Sequence, residues 1–415
     1  MACLLSGQNL IMRNDHHRAK PLKICLIAGE TSGDMLGGQL MTALNKISNL
    51  PIEFSGIGGK NMKEQGLNSF FPISDLSIMG ISEILPYIPR ILSRIKETTK
   101  KITLRKPDVV VTIDSPGFSL RVASKLKRTN PDTRLIHYVA PSVWAWKPWR
   151  AIRMSRYLDR ILTLFQFETQ YFEDVGLDSV FVGHPIVQSG AVRGDGIGFR
   201  TNNGIPPDIK LICILPGSRL VEVSKHLPII EHTLDLLSKK NTIFEVVLPL
   251  ADDVATSVKS VVQKWPYSIT FTEGDDDNKY NAFAASNVAL ACSGTVALEL
   301  ALADIPYVTI YKMSLFSGIV ARSFVRLKYV NLINILLDKE VVPELILENC
   351  KPNLILPHLV KALNDTEFRS KQRKYFKAAL DLITVGGNLP SERAAQAILE
   401  VIAEKSVNKH NSNQR

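Results

Sequence analysis

Cysteines, aromatic residues and long apolar runs are all scarce in this chain of 415 residues. The five cysteines are far apart and show no metal-ligand spacing, which predicts buried thiols in a reducing compartment. No apolar run reaches the length that crosses a bilayer. The first residues show no export-type cleavage pattern, so residues 1–20 are interpreted as a flexible tail.

Several motifs that would define a reaction by themselves are also missing. The sequence contains no Walker motif, no H-E-x-x-H, no C-x-x-C and no G-x-S-x-G. The function therefore has to be inferred from how the remaining motifs are arranged.

Positive charge is what the chain has in excess. It carries 50 Lys and Arg against 40 Asp and Glu, a formal net charge of +10 at pH 7. This surplus predicts anionic partners, such as nucleotide phosphates, acidic lipids or nucleic acid. Nucleic acid is the least favoured of these, because no recognised binding module is present.

Alternating strand and helix patterns predict an α/β fold with two Rossmann-like, doubly wound domains. The length exceeds what one core accommodates, and a stretch rich in Gly, Asn and Pro indicates a linker. We expect an N-terminal domain at 21–188, a linker with a short helix at most at 189–208, a C-terminal domain at 209–382, a helix at 383–405, and a disordered tail at 406–415.

The stretch at 287–310 is the centre of the pattern. An apolar strand leads into Ser293, Gly294 and Thr295, and a helix follows with Glu299 one turn in. Such a turn offers backbone N–H groups beside hydroxyls, a site for an anion such as phosphate. The alternative is an ordinary βαβ turn in which Ser293 or Thr295 only caps the helix.

A second turn of this kind follows the first strand after the linker. Pro216, Gly217, Ser218 and Arg219 leave that strand, and Glu222 starts a helix. A basic side chain that leaves a glycine turn at a helix start is well placed to clamp phosphate.

Two loops of the N-terminal domain follow buried-type strands. The first contains Glu30, Thr31, Ser32 and Asp34, which either face a ligand or fix a tight turn. The second begins with Asp114. Because the carboxyl ends of parallel strands line the ligand crevice, Asp114 is the general-base candidate; the alternative is a capping or loop-fixing carboxylate.

A third loop, at 140–150, contains three of the four tryptophans. Trp144 and Trp146 lie close to Lys147 and Arg150, a combination that suits a sugar face, an acyl chain or a membrane interface. The alternative is a packing cluster over the sheet edge.

An apolar segment at 76–92, interrupted by Gly80, Pro86 and Pro89, precedes a basic cluster. The combination fits insertion at an anionic membrane surface, or a core-facing helix with a solvated basic face. The residues expected at a membrane are Ile81, Ile84, Leu85, Arg90, Arg94, Lys100 and Lys101.

Together the motifs resemble those of the lipid-A-disaccharide synthase family, in the same order from about residue 22 to 402. HYVAPSVWAW is nearly diagnostic, whereas SGT or PGSR alone would not be. The matching motifs are GETSGD at 29–34, IMG at 78–80, KPD at 106–108, IDSP at 113–116, HYVAPSVWAW at 137–146, GHP at 183–185, LPGSR at 215–219 with Glu222, SGT at 293–295 with Glu299, and NLIN at 331–334.

The resemblance implies a GT-B glycosyltransferase that needs no metal or other cofactor. It also implies that the C-terminal helix at 383–405 packs back on an N-terminal domain. It implies an inverting transfer of 2,3-diacylglucosamine from UDP-2,3-diacylglucosamine to 2,3-diacylglucosamine 1-phosphate. The product would be the β-1,6-linked lipid A disaccharide phosphate, with UDP released. It further implies a peripheral location on the cytoplasmic side of the inner membrane, and a homodimer that can form by exchange of C-terminal segments.

The resemblance also implies a role for each motif. Asp114 would accept the proton of the acceptor hydroxyl, and residues 30–34 with Trp144 and Trp146 would bind substrate. Arg219 and residues 293–295 would stabilise the departing diphosphate, while Glu299 would bind ribose and Asn334 the nucleotide. Gly117 stands where many relatives carry a second aspartate, which weakens any role for a carboxylate there.

Two other functions use the same patterns. A UDP-sugar 2-epimerase has the same two-domain layout and a similar pyrophosphate turn, but would not need the tryptophan-rich loop. A lipid-binding or membrane-tethering protein could keep a transferase fold without activity; the presence of Asp114, Arg219 and residues 293–295 argues against it.

Overall fold

The computed structural model describes residues 20–76, 84–274, 276–312 and 328–412, with the side chains of 84–87 and 405–412 left out. The N-terminal tail and Ile81 lie outside the described residues, and so do the side chains of Ile84 and Leu85. The chain divides into two compact units, Met1–Leu135 with Ile398–Arg415, and Ile136–Ala397.

The first unit alternates strands and helices. In chain order these are β1 (Leu22–Ala28), α1 (Thr31–Ile47), β2 (Ile52–Ile57), α2 (Lys60–Glu64), β3 (Asn68–Ser69), α3 (Ile84–Arg105), β4 (Val109–Ile113) and α4 (Pro116–Thr129). The strands are parallel and lie in the order β3-β2-β1-β4. The chain leaves β1 toward β2 on one side and returns to β4 on the other, so the sheet has its topological switch point between β1 and β4.

The second unit opens with three parallel strands in the order β5-β6-β7. They and the helices around them are β5 (Leu135–Tyr138), α5 (Trp149–Ser155), β6 (Arg160–Thr163), α6 (Thr169–Glu173), β7 (Asp178–Phe181) and α7 (Gly196–Asn202).

A six-stranded parallel sheet follows, in the order β10-β9-β8-β11-β12-β13, with its switch point between β8 and β11. Its elements are β8 (Lys210–Leu215), α8 (Leu220–Ser238), β9 (Phe244–Pro249), α9 (Asp252–Val262), β10 (Ile269–Thr272), α10 (Asp276–Ala285), β11 (Val288–Cys292), α11 (Val296–Leu302), β12 (Tyr307–Tyr311), α12 (Leu332–Leu337), β13 (Glu344–Ile346), α13 (Pro352–Asn364), α14 (Thr366–Asp381) and α15 (Pro390–Ser412).

The central strands are mostly apolar because helices cover both faces of a parallel sheet. Every residue of β4 and of β11 is buried. The core of the second sheet combines side chains of β8, β9 and β11 with those of α8, α9 and α13. These sheets confirm the expected α/β class, and the buried thiols of Cys25, Cys213, Cys292 and Cys350 agree with the prediction for cysteine.

Helix α3 differs from the expected interrupted segment. It runs from Ile84 through Pro89 to Arg105. Pro86 falls in the first turn, where no backbone N–H is needed. Pro89 removes one backbone hydrogen bond of the helix. The hydrogen bonds of the four turns that follow Pro89 outweigh this loss. No helix in the described part of the chain is long and apolar enough to cross a membrane.

The segment at 189–208, where a linker with a short helix at most is expected, contains α7, a helix of 7 residues, and a short 3-10 turn at Gly190–Arg193. The Arg200 guanidinium donates to the carbonyls of Pro206 and Ala285, both at 2.8–2.9 Å, and to the Asn287 side chain at 3.1 Å. The arginine therefore fixes this segment to the second sheet.

Two hydrogen bonds join α15 to β6 and β7. Arg393 of α15 donates to the Phe181 carbonyl at 2.8 Å, and Arg160 of β6 donates to the Ala397 carbonyl at 2.7 Å. Helix α15 continues to Ser412, past residue 405 where order was expected to end. The added residues contain neither Gly nor Pro, which would have stopped the helix.

Candidate active site

The loops that follow β1 and β4 meet at the switch point of the first unit. Ser32 Oγ donates to Asp114 Oδ2 at 3.3 Å. The approach is so close that a Cβ on Gly29 would lie 2.4 Å from Ser115 Oγ. Only glycine fits at this position. The β4–α4 loop therefore explains why GETSGD begins with Gly29.

The backbone at Asp114 is unusual. Asp114 has φ 48° and Ser115 has φ 45°, so two consecutive non-glycine residues adopt the left-handed region. Each such residue costs roughly 1–3 kcal/mol, and such strain clusters at functional sites. In the described structure Ser115 precedes α4 without a side-chain capping bond, and the bond shown for Asp114 comes from another loop. The arrangement argues against a capping role for Asp114, and its role as general base stays a prediction.

Asp34 has a structural position instead. Its buried carboxylate accepts from the backbone N–H groups of Gly59, Asn61 and Met62 at 2.6–3.1 Å, and from the Asn61 side chain at 3.0 Å. It thereby joins α1 to the start of α2. Glu30 and Thr31 are exposed at the start of α1, with Ser32.

In the second unit, the carboxyl ends of four adjacent strands surround a cavity of about 400 Å³. This volume lies within the usual range for small-molecule sites. Strands β8, β9, β10 and β11 each contribute the residues that follow them. Eight of the residues predicted to bind UDP line it: Pro216, Gly217, Ser218, Glu222, Ser293, Gly294, Thr295 and Glu299.

Neither glycine turn is explained by helix capping. Gly217 has φ 119° and Gly294 has φ 159°, conformations that favour glycine. In this described region Thr295 and Arg219 begin their helices without a side-chain capping bond. Ser293 Oγ donates to the Val330 carbonyl at 3.3 Å.

Carboxylates outnumber cations among the described lining side chains. Lys279 Nζ lies 3.2 Å from Glu299 and 2.7 Å from Asp276. Burial lowers the pKa of Lys279, but the two facing carboxylates outweigh burial and hold that pKa above its ordinary value. Burial raises the pKa of Glu299, and Lys279 opposes this rise. Lys279 is therefore a charged group in the cavity wall.

His226 of α8 holds the Pro216 turn in place. Its Nδ1 lies 2.7 Å from the Pro216 carbonyl, and its Nε2 accepts from the Lys312 backbone N–H at 2.9 Å. These partners require a neutral ring protonated at Nδ1. Burial lowers the pKa of His226, which agrees with that form.

Two predicted UDP contacts lie outside the cavity wall. Arg219 is 79% exposed, and its guanidinium lies 3.4 Å from Glu222 Oε1. Asn334 is fully buried. Its amide donates to the Val342 carbonyl and Glu344 and accepts from the backbone N–H groups of Val341 and Val342, all at 2.8–2.9 Å. These bonds give Asn334 a loop-fixing position in place of the predicted nucleotide contact.

The tryptophan-rich loop divides into an inward and an outward part. Trp144 is half-buried: its Nε1 donates to Glu168 Oε1 at 2.9 Å, and its ring meets that of Phe167 edge-on at 5.1 Å. Trp146 is exposed. Burial raises the pKa of Glu168 to about 7, although Trp144 and two backbone N–H groups lower it.

Helix α3 carries the basic residues predicted at a membrane. Arg90 and Arg94 pair with Asp75, and Lys101 lies 2.8 Å from Glu97. Lys100 is exposed, as are Lys96 and the apolar Ile88, Leu92 and Leu104. The outer face of α3 is thus mixed apolar and basic, while part of its charge is neutralised within the unit.

Sequence reasoning missed Lys279, His226 and Glu168. Lys279 lies near the start of α10, after the acidic loop that follows β10, and this position beyond the carboxyl end of a parallel strand was the available signal. His226 and Glu168 lie within helical segments and have no motif of their own. Only the folded chain shows that they hold the Pro216 turn and Trp144.

Comparison with known proteins agrees with this arrangement. The lipid-A-disaccharide synthetase family model matches residues 24–398. The chain is 47% identical to the lipid-A-disaccharide synthase of Rhodospirillum centenum, over 94% of this chain and 96% of that protein. It is 44% identical to that of Paramagnetospirillum magneticum, over 92% of this chain and 98% of that protein.

Solved structures resemble the chain at the level of fold. A UDP-bound MnaA of S. aureus has a TM-score of 0.62 at 14% identity, with 91% of this chain and 95% of that chain covered. A UDP-GlcNAc 2-epimerase from Neisseria meningitidis has a TM-score of 0.59 at 13% identity, with 92% and 100% covered. A glycosyltransferase from Rickettsia africae has a TM-score of 0.55 at 14% identity, with 92% and 98% covered.

Two parallel sheets with interleaved helices, each with loops gathered at its switch point, define a GT-B glycosyltransferase architecture. Fold alone does not choose among the enzymes that share it. The family model and the close relatives do, and the chain belongs to the lipid-A-disaccharide synthase family. It is therefore a glycosyltransferase of lipid A biosynthesis.

Proposed function

We propose that the chain transfers 2,3-diacylglucosamine from UDP-2,3-diacylglucosamine to the 6-hydroxyl of 2,3-diacylglucosamine 1-phosphate. The observation that supports it best is the convergence of eight predicted UDP-binding residues on one cavity. The products are the β-1,6-linked disaccharide phosphate and UDP, formed with inversion in a single displacement.

In this proposal Asp114 is the general base. It accepts the proton of the acceptor hydroxyl as the oxygen attacks the anomeric carbon of the donor. Ser32, which donates to Asp114, orients the carboxylate. A positioned base of this kind contributes roughly 10²–10⁴-fold to the rate. Thr31 and Glu30, exposed beside Ser32, are proposed to contact the acceptor.

The cavity of the second sheet is proposed to bind the nucleotide. Lys279, Arg219 and the backbone donors at 293–295 stabilise the negative charge that grows on the leaving diphosphate. Glu222 and Glu299 suit hydroxyl donors, such as those of ribose and sugar. The carboxylates of the cavity therefore bind the hydroxyl groups of the ligand, since they would not bind its negatively charged phosphates.

The location is proposed to be the cytoplasmic face of the inner membrane, because both substrates carry acyl chains. The exposed apolar and basic face of α3 is the proposed docking element there. A homodimer with exchanged C-terminal segments is also proposed. The contacts of Arg393 and Ser391 with Phe181 and Gln188 are ones that a partner's helix could make equally well.

The direct test is product formation. Purified protein with both substrates should release UDP and yield the disaccharide phosphate, measured by mass spectrometry. Omission of the acceptor is the control. The protein should also be incubated with UDP-N-acetylglucosamine alone. An epimer in that arm, without disaccharide in the other, would identify a 2-epimerase and refute the proposal.

A further inference from the structure

We propose that an outward face of the β5–α5 region contacts the surface of an anionic lipid bilayer. This tryptophan face consists of Trp146, Trp149 and Ile152 with Lys147, Arg150, Arg153 and Arg156. The proposal extends the proposed function by adding a second membrane contact besides α3, and its test does not require sugar transfer.

The three apolar side chains of the face are large and solvent-exposed. Trp146 is 47% exposed, Trp149 51% and Ile152 50%. Large exposed apolar side chains rimmed by polar groups mark interaction sites. The lining of the cavity at 215–299 includes none of them, so the described nucleotide site does not account for their exposure.

The loop beneath the face is fixed in shape. Val139 has φ 74°, a rare conformation for a β-branched residue. Trp144 is held from below by Glu168, which also accepts from the backbone N–H groups of Leu164 and Phe165 at 3.1 and 3.2 Å. The inward tryptophan thus anchors the loop that carries the outward ones.

The charge of the face has one sign. Residues 139–158 contain four basic residues and no Asp or Glu. Lys147 Nζ lies 4.1 Å from the centre of the Trp146 ring. The ammonium group and the aromatic ring are therefore in direct cation–π contact. Arg153 of α5 and Arg156, which directly follows the helix, are exposed. They lie four residues after Trp149 and Ile152 respectively, the spacing of neighbours on a helix surface.

This combination fits a bilayer surface. Tryptophan is enriched at the membrane–water interface, and arginine can keep its head group in water while its stem covers apolar surface. Each basic side chain near an anionic surface strengthens binding by a factor of roughly five. A neutral protein surface would not require four cations around three apolar side chains.

The experiment measures binding of the full chain to vesicles of phosphatidylglycerol and phosphatidylcholine, without sugar substrates. Arg153→Gln with Arg156→Gln should weaken binding to these vesicles roughly 25-fold at low salt, with little effect on pure phosphatidylcholine. Trp149→Ser with Ile152→Ser should weaken both. Thermal unfolding is followed for each variant to show that it remains folded.

A matched control lies on the same unit. Ile243 is 75% exposed beside the exposed Lys239 and Lys240. Ile243→Ser with Lys239→Gln and Lys240→Gln removes the same kinds of group and should leave vesicle binding unchanged. A parallel variant of α3, Leu92→Ser with Lys96→Gln and Lys100→Gln, measures the other proposed contact separately.

Tryptophan fluorescence gives an independent readout. Three of the four tryptophans lie at 144–149, and the remaining Trp265 is buried. Brominated lipids should quench the wild type strongly, and quenching should fall in Trp146→Phe with Trp149→Phe. Unchanged vesicle binding in the face variants, or no quenching in the wild type, would overturn the proposal.

A turnover assay distinguishes a lipid bilayer from the acyl chains of a substrate, the other ligand that this face could bind. If Trp149→Ser with Ile152→Ser abolishes turnover of short-chain substrates in solution but leaves vesicle binding intact, the face binds substrate acyl chains and the bilayer proposal fails. If the wild type binds vesicles through this face but forms no disaccharide, the proposed function fails and the docking surface stands.

Discussion

At the scale of single residues, contact between two loops decides the geometry of the proposed base. Gly29 has space for a hydrogen and no more, because Ser115 lies against it. Gly117, four residues beyond the end of β4, is different. Among the described atoms nothing lies within 4 Å of where its Cβ would be. Replacement by alanine is therefore expected to have opposite effects at the two glycines.

Gly29→Ala should separate the β1–α1 and β4–α4 loops and break the bond between Ser32 and Asp114. We expect turnover to fall at least about tenfold, since misplacement of a catalytic group by about 1 Å can cost roughly 10²-fold. UDP affinity should not change. Gly117→Ala is the matched control and should keep full turnover. Equal effects of the two substitutions would show that the contact with Ser115 is unimportant.

The residue scale is also where sequence reasoning reached its limit. Asp34 and Asn334 belong to motifs, but their side chains bond to neighbouring backbone within the fold. A motif records that a residue type is needed and not whether it points inward or outward. Asp114, Ser293 and Thr295 could be placed because the carboxyl ends of parallel strands always face the same edge.

At the scale of elements, α8 supports the Pro216 turn through the side chain of His226. His226 connects the Pro216 turn to the backbone at Lys312, beyond the end of β12. The helix thereby positions one wall of the nucleotide cavity. Leaving a buried donor or acceptor without its partner costs about 1–3 kcal/mol.

His226→Leu should weaken UDP binding about tenfold, which corresponds to about 1.4 kcal/mol, because the Pro216 turn loses its support. His226→Gln should recover part of the affinity, since an amide both donates and accepts. His232 lies on the same helix and is exposed, so His232→Leu is the control. Calorimetric titration with UDP measures all four proteins. Wild-type affinity in His226→Leu would contradict the assigned support.

Elements differed in how well the sequence predicted them. The ends of buried parallel strands such as β1 and β4 could be predicted, because a continuous apolar run between turn signals has few other interpretations. Helix α3 could not, because Pro86 and Pro89 suggested a break that the helix tolerates. The short helix α7 lacks periodicity, and Arg200 orders it through contacts distant in sequence.

At the scale of the whole molecule, two sheets each place their chemically active loops at a switch point. The first has Asp114 beside β1 and β4, and the second has the cavity beside β8 and β11. In the proposed mechanism, proton transfer occurs at the first of these places and nucleotide binding at the second. We therefore expect mutation to affect one task without affecting the other.

The most direct test is to measure turnover and UDP affinity together in Asp114→Asn. We expect turnover to fall by about 10²–10⁴-fold, while the UDP dissociation constant stays at the wild-type value. Asp132→Asn, at an exposed position of the same unit, should change neither. Wild-type turnover in Asp114→Asn, or a loss of UDP binding equal to the loss of turnover, would contradict the account.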